Sequence, residues 1–384
     1  MSNFSFDAVN MPAGIAGLRA EVREFLRDAM AGVPASRRTN SWSTYDAGFS
    51  RKLGERGWIG MTWPRRYGGH ERSTIERYVL LEELLAAGAP VGAHWIADRQ
   101  SGPALLKYGS EAQREAYLPG MARGEIYCCI GMSEPNAGSD LSSVRTRAEK
   151  LPDGRWKING QKIWTSHANR CRLMIALVRT GTFDEKNKQA GLSQFLLELD
   201  TPGIIIRPIV DLVGGQHFCE VFFQDAIVPA ECVLGIEGEG WKQCTSELSL
   251  ERSGPERYLS SLAVYLEFLR AEGPHPDAAV RQALGKVAAD IWTLRQMSLS
   301  VAGQLAAGRD PAIEAAIVKD LGNSFEQALP AVVQTLIDAD PTAAGSGELA
   351  ATLNLLLQTS PSFSLRGGTR EILRGIIARG LGLR

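Results

Sequence analysis

The chain has 384 residues, 44% of them apolar, and its charges almost cancel, with 42 Lys plus Arg against 43 Asp plus Glu. That length suits two or three folding units sharing a sizeable core. No block of like charge offers a footprint for nucleic acid, and no apolar run reaches membrane-spanning length, so a small-molecule substrate or a protein partner is expected.

From Gly17 to about Arg123 the apolar residues recur at helical spacing, with Leu18, Val22, Phe25 and Leu26 in one helix and Ile75, Tyr78, Val79, Leu80 and Leu84 in a later one. The first forty residues carry Asp7, Glu21 and Glu24 and no apolar signal core, so a cytoplasmic location is expected. Between the helices, GWIGMTWPRRYGG (Gly57 to Gly69) reads as a structured loop. Near Tyr127 the period shortens. TRAEKL and RWKINGQKIWTS flank Pro152-Asp153-Gly154, a hairpin signal, and the β-rich runs RLMIALV, SQFLLEL and CEVFFQDAIV follow. After GIEGEGW (Gly235 to Trp241) the helical period returns and persists to the end. The expected layout is an α+β chain: an N-terminal helical domain over 1–125, a middle β-barrel-like domain over 126–236, and a C-terminal helical bundle over 237–384. DADPTAAGSG (Asp338 to Gly347) is the one stretch expected to be mobile.

Three segments carry chemistry. GMSEPNAGSD (Gly131 to Asp140) leaves a β run through small and polar residues, so its backbone N–H groups and the hydroxyls of Ser133 and Ser139 could meet a polar ligand edge or a pyrophosphate; ordinary turn chemistry gives the same sequence. In KIWTS (Lys162 to Ser166), strand alternation would put Trp164 and Ser166 on one face, the first to stack on a planar ring and the second to bond its edge; a core Trp beside a satisfied Ser is the competing reading. The third is the C-terminal SLRGGTREILRGIIARG, from Ser364 to Gly380.

Taken together, in this order and spacing, these segments and the GWIGMTWPRRYGG loop resemble the signatures of the acyl-CoA dehydrogenases, and the helix, β, helix layout is that family's. The resemblance covers nearly the whole chain. It implies an acyl-CoA dehydrogenase-like fold with a C-terminal four-helix bundle, FAD as cofactor, an acyl-CoA thioester as substrate and an electron-transfer flavoprotein as acceptor. It further implies that Met132, Ser133, Ser139, Trp164, Ser166, Arg281, Gly368 and Thr369 meet the cofactor, with Ser139, Arg252 and Gly367 near the substrate.

An α proton beside a thioester is a weak acid, so a carboxylate must reach it. Many relatives carry that glutamate just before the Gly-Thr of the tail, where this chain has Gly367. Isovaleryl- and long-chain-type members carry it in a Leu-x-Leu-Glu-Arg context, matched here by Leu248-Ser249-Leu250-Glu251-Arg252, so the resemblance makes Glu251 the base; a surface acid paired with Arg252 or Arg257 is the alternative. Pro255, four residues on, should kink the helix or start it afresh. Gly367 keeps its backbone N–H for the thioester carbonyl and leaves room for a branched, ring-bearing or steroid-like acyl group.

Relatives complete each FAD from a neighbouring subunit through an Arg-x-x-Phe-Gly segment and a Gln-x-x-Gly-Gly-x-Gly loop. The first persists loosely as Arg281-Gln282-Ala283-Leu284-Gly285; the second is replaced by VVQTLIDADPTAAGSGELA, leaving Gln334 without a Gly-Gly pair. A homo-tetramer or dimer and a heterotetramer with a related subunit are thus both open, as is a non-catalytic or half-site subunit, with an oxygen-using relative as a third option. The six cysteines show no C-x-x-C spacing and read as reduced thiols, and His70, His94, His167, His217 and His275 do not cluster, so no metal is expected. His94, Asp98, Arg99 and Lys319 read as packing or helix-charge residues.

Overall fold

The computed structural model describes residues 4–250, 252–339 and 347–383, with the side chains of 246–250 outside the description. Two compact units share the chain: one holds Tyr45–Glu71 and Gly92–Leu250, the other Met1–Thr44, Arg72–Val91 and Glu251–Arg384. The helices α1 (Ile15–Ala29), α2 (Ala47–Glu55) and α3 (Thr74–Ala86) open the chain, and α3 starts at a capping box between Ser73 and Glu76. They are followed by α4 (Gly92–Ile96), α5 (Gly102–Tyr108) and α6 (Glu111–Ala122), with a π-helical turn over Ala97–Ser101 between α4 and α5.

The strands are β1 (Cys128–Gly131), β2 (Arg147–Lys150), β3 (Trp156–Ser166), β4 (Leu173–Arg179), β5 (Leu192–Glu198), β6 (Ile204–Ile209), β7 (Phe218–Val228) and β8 (Val233–Leu234). They form one sheet in the order β6-β7-β3-β2-β4-β5-β8, with β1 parallel to β4. The hairpin expected at Pro152-Asp153-Gly154 is present: β2 and β3 pair antiparallel from Arg147↔Asn159 to Lys150↔Trp156, and Gly154 takes a φ of +90° that suits glycine. Trp156, Ile158, Met174, Val178, Phe195, Val221 and Phe223 pack as the core of the sheet, with Trp156 meeting Phe195 edge to face at 5.4 Å.

After α7 (Gly240–Leu250) the helical elements are α8 (Leu262–Glu272), α9 (Ala278–Ala306), α10 (Ala312–Ala339), α11 (Gly347–Thr359) and α12 (Arg370–Gly380). Val264, Phe268, Leu284, Val287, Leu329, Val333, Leu353, Leu356 and Phe363 form the core of this bundle. Pro255 opens a separate 3-10 turn, Pro255–Arg257, the fresh start that its missing N–H predicts. Most of DADPTAAGSG, residues 340–346, lies outside the described residues. The six cysteines form no disulfide. No described helix is long and apolar enough to cross a membrane.

Candidate active site

One group of candidate residues lies where β1 runs out into the loop of residues 132–146 and meets the end of β3. Two bonds join the segments: Ile163 N donates to Ser133 O at 2.9 Å, and Lys162 Nζ donates to Met132 O at 3.0 Å. The pairing of β3 with β7 shifts register between Lys162 and Thr165, and Trp164 stands there at a φ of +59°. This bulge corrects the expectation of simple alternation. Lys162, two residues before Trp164, is fully buried, whereas Trp164 is 56% exposed and touches Phe218 edge to face at 5.8 Å. A tryptophan held in the left-handed region and turned outward is a displayed ring, which tells against the core-Trp reading.

Thr165 Oγ1 is buried without a hydrogen-bond partner, and among the described residues none bonds the hydroxyl of Ser133, Ser139 or Ser166. Met132 is half-buried against the cluster of Ala137, Val144, Leu177, Leu192 and Cys244. An exposed indole with hydroxyls on neighbouring segments fits a planar ring with a polar edge, the chemistry of a flavin.

Three residues that sequence reasoning left without a role hold this group in place. Glu134 accepts from Lys162 Nζ at 2.8 Å, Arg145 N at 2.7 Å and Thr146 N at 2.8 Å. Burial pushes the Lys162 ammonium down to about 8 against the opposing pull of Glu134. Burial alone would raise Glu134, but the Lys162 charge and its hydrogen bonds outweigh that and hold it below the ordinary carboxylate value. Arg179, nearly buried on β4, donates to the carbonyls of Ser142, Val144, Lys188 and Ala190. The only signal in the sequence was parity, since Lys162 lies an even number of residues from the buried Trp156 and Ile158.

The second group of candidate residues lies in the other unit. Gly367 and Gly368 turn at φ of +63° and +96°, and Thr369 is the N-cap residue of α12. The turn is anchored at both ends. Lys319, fully buried on α10, donates to Gly368 O at 2.6 Å, so the residue read as a helix charge supports the tail. The Arg366 guanidinium lies over the rings of Trp42 and Phe363 at 4.3 and 4.6 Å and donates to Asn40 Oδ1. Arg370 and Arg374 pair with Asp320, fixing α12 on α10.

Arg252 is buried, Arg281 is exposed on the first turn of α9 and bonds Pro276 O, and Glu251 lies outside the described residues. Gln334 bonds Asp338 along α10. Two other sequence candidates have structural partners: His94 is buried against Ser50 at 2.8 Å, and Asp98 accepts from Gly60 N at 2.8 Å.

Residues 16–125 match the family model described as the acyl-CoA dehydrogenase N-terminal domain, and residues 129–226 match that of the middle domain. Acyl-CoA dehydrogenase IpdE1 of Mycobacterium tuberculosis is 34% identical over 385 residues, covering 95% of this chain and 97% of that protein. Mitochondrial isovaleryl-CoA dehydrogenase of Oryza sativa is 29% identical over 374 residues, covering 94% and 90%. Among solved structures, the Tcur3481-Tcur3483 steroid ACAD superposes with a TM-score of 0.82 at 28% identity, covering 97% of this chain and 98% of that one. The ChsE4-ChsE5 complex from Mycobacterium tuberculosis superposes at 0.83 with 26% identity, covering 98% and 100%.

Proposed function

The chain belongs to the acyl-CoA dehydrogenase family, and from that premise we propose that it oxidises the Cα–Cβ bond of an acyl-CoA thioester to a trans-2-enoyl-CoA, with Glu251 as the base. The observation that carries the reading is Trp164, turned outward on a strained bulge of β3 beside the loop that carries Ser133. FAD, when bound, supplies the acceptor for the Cβ hydride and passes the electrons on to an electron-transfer flavoprotein. Met132, Ser133, Ser139, Trp164, Ser166, Gly368 and Thr369 would hold it, with Arg281 meeting the FAD of a neighbouring subunit, as the resemblance implies.

The protein's own part is to orient the thioester, exclude water and remove one proton. The Glu251 carboxylate takes the Cα proton. The thioester oxygen, which gains charge as that proton leaves, is met by the backbone N–H of Gly367, a donor that needs no side chain. Arg252 and Ser139 would engage the CoA portion. Gly367 leaves volume beside the acyl group, and the likeness to a steroid ACAD supports a ring-bearing, steroid-derived acyl group over a short straight one.

The test is Glu251→Gln. The variant is expected to keep its FAD and to lose substrate-dependent bleaching of the flavin spectrum by a factor of about a thousand or more; bleaching at the wild-type rate would remove Glu251 from the mechanism. A second reading, a half-site subunit completing a partner's FAD site, is favoured by the missing Gly-Gly pair after Gln334 and by the likeness to the ChsE4-ChsE5 complex. Turnover of acyl-CoA by a complex made of this chain alone would eliminate it.

A further inference from the structure

The loop of residues 132–146 carries Met132, Ser133 and Ser139, and its middle stands in solvent: Pro135, Asn136, Gly138, Ser139 and Asp140 are exposed. A loop so displayed needs fixed ends if it is to present hydroxyls and N–H groups in one geometry. The fixing is done by buried charge. Glu134, near the start, accepts from the backbone of Arg145 and Thr146 at the far end, so one carboxylate closes the loop. Lys162, with no exposed surface, bonds that carboxylate at 2.8 Å and the carbonyl of Met132 at 3.0 Å. Arg179 holds the far end through Ser142 O at 2.9 Å and Val144 O at 3.2 Å. Packing alone would not require this arrangement, because well-packed apolar side chains of similar volume generally match or exceed the stability of a buried ion pair. An ion pair does something apolar residues cannot: it sets carbonyl and N–H directions.

We propose that Glu134 and Lys162 are positioning residues for the cofactor, an ion pair buried beneath the loop that fixes the backbone of Met132 and Ser133 for contact with the flavin. The inference rests on the FAD reading above. It assigns neither residue contact with FAD or substrate, and both act through the loop. The charged or titratable groups that bear on Lys162 are Glu134 from the loop, Arg179 from β4 and Cys244 from α7. Loss of the Lys162 proton would remove the charge that faces Glu134 and weaken the bond between them.

The test uses the full chain, with any partner subunit that co-purifies, stripped of flavin and titrated with FAD by visible absorption and flavin fluorescence. Lys162→Met alone leaves Glu134 as an unpaired buried charge and is expected to lower the melting temperature. Lys162→Met with Glu134→Gln removes both charges and keeps one oxygen, an acceptor for either Arg145 N or Thr146 N, and is expected to melt closer to wild type than Lys162→Met alone while binding FAD about tenfold or more weakly. The wild-type dissociation constant should rise between pH 7 and 9, as Lys162 loses its proton near 8, and the paired variant should show a flat profile over that range. If the paired variant binds FAD as tightly as wild type, or follows the wild-type pH profile, the proposal is overturned and the cofactor assignment stands. A folded wild type that takes up no FAD even when assembled with a related subunit carrying the Gly-Gly loop overturns the cofactor assignment itself, and this proposal with it.

Discussion

Glu326 has no exposed surface, yet it sits on α10 bonded to Ser260 N at 2.6 Å and within 3.4 Å of the Arg366 guanidinium. Burial raises its carboxyl above the ordinary value, and Arg366, Ser260 and Arg257 pull the other way without cancelling the shift. A carboxyl with a raised folded-state pKa adds stability that is complete below its unfolded pKa and is lost as pH rises through the folded value. Removing the arginine raises that folded value further, so the penalty grows on the alkaline side. Arg366→Met should therefore cost about 2–4 kcal/mol at pH 8 and clearly less at pH 5, because the penalty of the buried charge falls as pH falls. Urea unfolding at the two pH values measures this. Equal losses at both would assign the effect of Arg366 to its stacking on Trp42 and Phe363 rather than to charge.

At the scale of elements, β3 shows what the sequence could and could not convey. Its start was legible: a Pro-Asp-Gly turn followed by Trp156 and Ile158 at period two announces a hairpin strand, and the core formed on that face. Its end was not, because nothing local at Trp164 favours a positive φ, and the bulge arises from pairing with β7, more than fifty residues away in sequence. β6 escaped reading for the opposite reason. Ile204–Ile209 contains Pro208, which argues against a central strand, and it forms an edge strand paired only with β7, where a missing ladder N–H is tolerated. In the site, the residues that would face a ligand stood in recognisable motifs, whereas Lys162 and Arg179 had no role in the sequence reading and Lys319 read as a helix charge, and only the fold shows all three buried. The bulge itself can be tested. Trp164→Gly relieves the left-handed strain and Trp164→Ala does not, so the glycine variant should be the more stable of the two by about 1 kcal/mol. Both should lose FAD affinity to a similar extent, through loss of the displayed ring. Equal stability of the two variants would mean that the bulge relaxes when the ring is removed.

Across the whole molecule, the residues proposed to meet FAD are divided between two compact units. The outward Trp164 and the Met132 to Ser139 loop belong to one compact unit, while Gly367 to Thr369 and Arg281 belong to the other, which is assembled from three separate stretches of sequence. Both carry their own supports, the Lys162–Glu134 pair in the first and the Lys319 and Arg366 anchors in the second. What departs from the family pattern is the stretch after Gln334, where the relatives' Gly-Gly loop would let backbone approach the adenosine half of a neighbour's FAD. Gln334 itself is engaged with Asp338 on α10. A chain with an intact ring-binding edge and an altered contribution to its neighbour should hold FAD weakly when it pairs only with itself. We therefore expect the chain purified alone to retain well below one FAD per protomer after extensive dialysis, and to recover about one per Glu251-bearing chain when a related subunit with the Gly-Gly loop is co-expressed. Absorption near 450 nm against protein concentration gives the ratio directly. A tightly held FAD in every protomer of the isolated chain would show that the altered segment completes a neighbour's site by other contacts, and would make a homo-oligomer the functional unit.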